Sequence, residues 1–359
     1  MSLEIVARPG ASQSGVPRAW RIPGRGPLGV APWRADEQWS DSALATATRA
    51  FLVFGVVIRL VRFLRAHPLW GDECFLAVNL LGRSFSSLLE PLDYQQVCPL
   101  GFLSVELAAV KLLGFSELSL RLVPTACSVG SLFLLRHVAG RLMRGMPLLV
   151  TVAIGSVAFY PIRHGGEAKP YASDFLIALA LIGMAVEWWR DPERPRWVWF
   201  LAAFAPLAVV MSHPSVFVAG GVALAIGPSI ARGRKPRLIA AYLTFGATLV
   251  LSFLAMLWLY TSAQHAEVKV CMDHAWSAFF PPLESPPALL GWLAKVHTGH
   301  MFAYPVGETF GGSGVTFAGV VLAAVVLCRR GRSAVVGACV APFGLALLAS
   351  SLRKYPYGD

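Results

Sequence analysis

The chain has 359 residues, 56% of them hydrophobic and 14% charged, and a mean hydropathy of +0.60. Soluble domains are about 45–50% apolar and roughly 25% charged, so the composition excludes an ordinary soluble domain and points to a membrane protein. Lys and Arg outnumber Asp and Glu 31 to 20, a net charge of +11. In a membrane protein that excess reports orientation rather than nucleic-acid binding. Six cysteines without a CxxC pair exclude a disulfide scaffold and a zinc ribbon.

Residues 1–43 are rich in Arg, Pro and Gly and read as a disordered basic tail. From there to residue 359 the pattern is that of one transmembrane domain. Apolar runs at about 44–64, 118–136, 146–162, 171–187, 197–212, 214–231, 238–261, 314–328 and 334–351 predict nine spans. Several fall short of the ~20 residues that cross the hydrocarbon, and rely on snorkelling flanks or a thinned bilayer. The fold class expected is an all-α polytopic bundle.

Pro99–Leu113 is a tenth apolar segment, but it contains Glu106 and Lys111. If it does not span, the tail lies in the cytoplasm with the loops around Arg136–Arg144, Arg190–Arg196, Arg232–Arg237 and Arg329–Arg332. Those loops carry 13 basic residues. If it spanned, all 13 would move outside, against the positive-inside rule. Pro99–Leu113 is therefore expected on the outer surface. Phe85, Leu88, Leu89 and Leu92, at i, i+3, i+4 and i+7, predict a second interfacial helix. The outer face then holds a long loop at 67–117, short ones at Arg163–Asp174 and Ser212–Ser215, and a second long loop at 262–313. No internal repeat supports an inverted-repeat transporter.

Three groups on that face carry chemistry. Trp70-Gly71-Asp72-Glu73 puts two carboxylates at a membrane boundary, where a carboxylate serves as a general base or caps a helix after His67-Pro68. Arg163–Asp174 holds Glu167, Lys169, Tyr171 and Asp174; Lys169 suits a phosphate as a point charge and Tyr171 stacks or hydrogen-bonds. The same residues also fit an ordinary polar turn with Ser173 and Asp174 capping the next helix. Arg353 and Lys354 are cations on the side where the charge bias disfavours them. In the first span, Arg59 is placed to snorkel to lipid phosphates. His213 sits in the turn Ser212-His213-Pro214-Ser215.

The order of motifs is more telling than any one of them. Leu69-Trp70-Gly71-Asp72-Glu73 leads to Leu88–Pro99, which holds Glu90-Pro91-Leu92-Asp93-Tyr94-Gln95-Gln96. Leu120-Arg121-Leu122-Val123-Pro124, Glu167–Asp174 and Lys354-Tyr355-Pro356-Tyr357-Gly358 follow. Over about residues 45–359 this resembles the integral-membrane C-type glycosyltransferases, in particular the bacterial branch similar to dolichyl-phosphate-mannose protein mannosyltransferases and lipid A aminoarabinose transferases.

The resemblance implies a polyprenyl-phosphate sugar donor and transfer on the extracytoplasmic face of the cell membrane, to a protein, lipid or glycan hydroxyl. Asp72 would be the base, with Glu73 and Asp174 as the other acids of the catalytic set. Lys169, Arg353 and Lys354 would bind the donor phosphate, and Tyr171, Glu167, Gln96 and His213 the substrates. Aminoarabinose-type members tend to carry a Lys before the Pro of the first loop, where this chain has Gln96 and Cys98. Relatives usually continue past the counterpart of Tyr355-Pro356-Tyr357-Gly358 into further helices, so a fragment or a shortened member is expected. A divalent metal between Asp72 and Asp174 is the one cofactor to look for. Membrane lipids are expected partners and nucleic acid is not. The competing expectations are a flippase or transporter for a lipid-linked precursor, and a truncated, non-catalytic paralogue.

Overall fold

The computed structural model describes residues 41–274, 276–302 and 313–357, and among these there is no strand. Six helices are long and apolar enough to cross a membrane: α1 (Asp41–Leu64), α4 (Glu117–Leu142), α7 (Tyr171–Arg190), α9 (Ser215–Gly233), α10 with its continuation (Pro236–Gln264), and α14 (Ser333–Ser351). Three more of the predicted apolar runs form shorter helices, α5 (Met146–Val157), α8 (Arg196–Met211) and α13 (Gly314–Arg329). The tail expected over residues 1–43 lies outside the described residues up to position 40. Residues 41–43 already belong to α1, whose first turn carries Asp41, as the positive helix N-terminus favours.

The main core joins α7, α8, α9 and α10 around Leu181, Trp188, Val222 and Phe245. Ala202, Ala205 and Ala208 line the buried face of α8, so its backbone comes close to its neighbours. Helices α9 and α14 meet equally tightly: a Cβ on Gly221 would lie 2.6 Å from Pro342. Outward, α1 exposes Val53, Phe54 and Val57, and α10 exposes Leu243, Val250 and Leu251. Water would reject these surfaces, whereas lipid tails accept them.

The run predicted at 146–162 is broken. Pro161 has no N–H, and its ring crowds the carbonyl four residues back, so α5 stops at Ala158 (φ −62°, ψ 139°) and a short α6 (Phe159–His164) follows. The break orphans the carbonyls of Gly155 and Ser156. Arg59 answers them from α1: it donates to Gly155 O (3.0 Å), Ser156 O (3.0 Å), Gly55 O (2.9 Å) and Ser128 Oγ (2.8 Å). The expected snorkelling of Arg59 is thus corrected. Its guanidinium is 3% exposed and caps a broken helix inside the bundle.

The 67–117 segment also differs from expectation. Gly71–Leu81 forms α2, and the i, i+3, i+4, i+7 stretch after it does not form a helix. It makes two 3₁₀ turns, Ser87–Leu89 and Asp93–Gln95, with Leu88 and Leu92 buried and Phe85 and Leu89 exposed. Pro91 and the Ser84–Ser87 hydroxyl network favour turns here, and Arg83 clasps the carbonyls of Ser87, Glu90 and Pro91 (2.7–3.2 Å). Pro99–Leu113 is helical as α3 (Leu100–Leu113). Its Phe102, Leu103 and Leu107 are buried in a second core with Leu76, Leu80, Leu120 and Tyr260, while Val105, Leu112 and Leu113 are exposed. The 262–313 loop is largely helical where described. The α10 helix runs through a π turn at Leu257–Thr261 directly into α11 (Ser262–His274), and α12 (Pro286–Lys295) follows after a 3₁₀ turn.

Candidate functional site

The site forms where α2 begins. Glu73, the third residue of α2, reaches back to the Trp70 N–H (3.2 Å), as a capping carboxylate does. Its other contacts come from afar. Arg121 of α4 donates from Nε to Oε1 (3.1 Å) and from Nη2 to Oε2 (2.8 Å), and the Ala168 N–H donates to Oε1 (2.7 Å). Arg121 also donates to the His67 carbonyl, so one arginine ties the entry of α2 to α4. Glu73 is 1% exposed and both its oxygens are occupied. In this arrangement it holds α2 against the 165–170 loop and offers no free lone pair to a substrate.

That clamp sets Asp72 beside Lys169. Their Oδ2–Nζ distance is 2.8 Å, with Lys169 8% and Asp72 33% exposed. The same ammonium donates to Gln96 Oε1 at 2.7 Å. Gln96 is aimed by its strained neighbours: Tyr94 (φ 59°) and Gln95 (φ 55°) are both left-handed. Asn79 compensates by donating to Asp93 O and accepting from Asp93 N (2.8 Å), and Tyr94 stacks on Phe75. From α11, Gln264 brackets the same loop at Leu92 N and Glu90 O, and Tyr260 donates to Cys98 O (2.7 Å).

Asp174 lies in the first turn of α7. Ser212 approaches its carboxylate, while Oδ1 is enclosed without a hydrogen-bond partner. Cys98 is buried near these groups. Burial pushes its thiol well up, Lys169 draws it down, and Asp174, Glu106 and Asp72 push it up again. Lys169, Asp174, Glu106 and Asp72 therefore all lie within electrostatic range of one sulfur. Glu106 of α3 is 1% exposed with neither oxygen paired, and burial pushes its carboxyl well up, which favours the neutral acid.

The remaining expected residues lie around this group. Glu167 is 3% exposed and accepts from Arg163 Nε (3.0 Å), and its Oε2 lies 2.7 Å from His164 Nδ1. Burial would raise its carboxyl, but His164 and Arg163 outweigh burial and hold it below the usual range. Tyr171 is exposed, its ring 4.7 Å from that of His164. His213 is half-buried in the turn before α9. Arg353 (φ 53°) lies over the Phe280 ring at 5.8 Å and Lys354 is exposed. Tyr357 anchors their segment to the second loop, through Phe279 O (2.9 Å) and His297 Nε2 (3.0 Å). Of the three cations expected at a phosphate, only Lys169 is thus seen against Asp72.

Among the described residues no group of three or more His, Cys, Asp or Glu side chains is arranged to hold a metal, and Asp72 is paired with Lys169. Arg121 stands in the Leu120–Pro124 motif, which by itself assigns it no role. The signal was a cation three residues before Pro124 in an otherwise apolar run.

The fold and site define an all-helical protein with the build of a multi-pass membrane protein, carrying a buried charge cluster at one end of its bundle. Compared with family models, curated proteins and solved structures, the chain matches none.

Proposed function

We propose that the protein is a membrane glycosyltransferase that moves a sugar from a polyprenyl-phosphate donor to an acceptor hydroxyl, with Asp72 as general base. The observation that carries this reading is the convergence of Asp72, Gln96 and Lys169, from three separate segments, into one carboxylate–ammonium–amide group. The nine-span reading, with 13 basic loop residues in the cytoplasm, puts that group on the extracytoplasmic face, where lipid-linked donors are used.

Asp72 takes the acceptor proton as the hydroxyl oxygen bonds to the anomeric carbon. The bond from that carbon to the phosphate oxygen breaks, and its electron pair leaves with the polyprenyl phosphate. Lys169 stabilises the departing anion, and Gln96 holds the ammonium in place. The ion pair is the resting arrangement. A donor phosphate competes for Lys169, and its arrival frees Asp72 to accept a proton. Glu73 and Arg121 act as positioning residues that fix the first turn of α2.

Incubating the full chain in proteoliposomes with a radiolabelled polyprenyl-phosphate sugar and glycolipid or peptide acceptors is expected to give a covalent glycosylated product. Movement of the donor between leaflets without a covalent product would contradict the reading and favour a flippase.

A further inference from the structure

Against Glu73 lies a cavity of about 310 Å³ whose walls include Arg62, Trp70, Glu73, Arg121, Arg163 and Glu167, and neither Asp72 nor Lys169. Its size falls at the low end of the ~300–1,000 Å³ typical of ligand pockets. Three guanidinium groups meet in it, and their charges are not all matched. Arg121 is paired with Glu73, and Arg163 shares Glu167 with His164. Arg62 has no ion pair among the described residues, and its Nε is buried without a hydrogen-bond partner. A guanidinium held in a partly enclosed site without a counter-charge favours an anion within its reach.

The cavity is shaped around that arginine. A Cβ on Gly166 would come within 2.7 Å of Arg62 Nε and 3.0 Å of its Cδ, so only glycine lets the guanidinium lie against the 165–170 turn. Arg62 is in the last turn of α1, a helix long enough to span, so the cavity lies at the edge of the apolar layer, at the level of lipid headgroups. Trp70 stands half-exposed at the rim with Arg163 over its ring at 5.9 Å, an amphipathic side chain at an interface. A planar guanidinium fork matches phosphate oxygens.

We infer that the Arg62 cavity is an anion site for the phosphate of a lipid headgroup, distinct from the Lys169 position. It does not rest on the transfer reaction, because Asp72 and Lys169 are not among its walls. The test is equilibrium binding of fluorescent phosphatidic acid to the full chain in detergent micelles, with phosphatidylcholine as the neutral comparison and inorganic phosphate as competitor. Wild-type protein is expected to bind phosphatidic acid at least ~10-fold more tightly than phosphatidylcholine, and Arg62→Gln to lose about that factor. Gly166→Ala, which displaces the guanidinium without removing it, is expected to weaken binding as well. Arg65→Gln, which removes an exposed cation three residues on that is not among the cavity walls, leaves it unchanged. Competition by inorganic phosphate would identify the phosphate group alone as the determinant, and its failure to compete would identify the whole headgroup; both support the site. Equal binding of the two lipids by wild type, or undiminished phosphatidic acid binding by folded Arg62→Gln and Gly166→Ala, overturns it.

Discussion

At the end of the bundle that holds Arg141, Glu187, Glu193 and Lys235, charges pair at or near the surface: Glu193 and Lys235 are 43% and 46% exposed, and Arg141 40% against 14% for its partner Glu187. At the end that holds Asp72, the pairs are sunk: Glu73 and Arg121 are 1% and 6% exposed, and Lys169 8%. Surface pairs tie helix ends together cheaply and tolerate loss. Buried pairs cost desolvation, persist only with full hydrogen bonding, and are kept where a geometry must be fixed. The contrast separates an end built for anchoring from an end built around a site.

The comparison breaks most visibly by removing one partner at each end. Arg121→Leu leaves Glu73 buried and uncompensated and is expected to cost about 3–5 kcal/mol, against less than ~1 kcal/mol for Lys235→Ala. Thermal unfolding of both variants in one detergent measures the difference. Arg59→Leu comes between them, at roughly 1–3 kcal/mol, because Gly155 and Ser156 lose the donor that caps their carbonyls. Amide exchange accelerated at the α5–α6 break would locate that loss.

A smaller effect is expected from Glu167, whose carboxyl is held below its ordinary value by His164 and Arg163 against the opposing pull of burial. A group with a depressed folded value stabilises the fold above its unfolded value, here near 4.5, and that contribution disappears as pH falls through the lower folded value. Denaturation midpoints followed downward from pH 6 are expected to fall less steeply in Glu167→Gln than in the wild type.

Hydropathy made the bundle legible because each span is a local property of composition. It carried α1, α4, α7, α9, α10 and α14 close to their observed bounds. It failed where structure is decided by tertiary contacts. Helix α2 mixes Asp72, Glu73 and Asn79 with apolar residues and needs Arg121 to neutralise its first turn. Helix α11 has little apolar pattern and continues because α10 precedes it. Arg59 read as a lipid-facing cation because nothing in its own helix announces that Pro161, over a hundred residues later, would break α5. In the site, motif order placed Asp72, Gln96 and Lys169 among the residues of interest. Their pairing was not readable, because it depends on the left-handed turn at Tyr94–Gln95 and on the Glu73 clamp.

Whether Asp72 is the base of a sugar transfer is read from the initial rates of Asp72→Asn and wild-type protein in proteoliposomes of equal protein content. With its elution and thermal midpoint unchanged, the variant is expected to lose at least ~100-fold in kcat, the range of a missing general base. A variant that turns over at the wild-type rate contradicts the account.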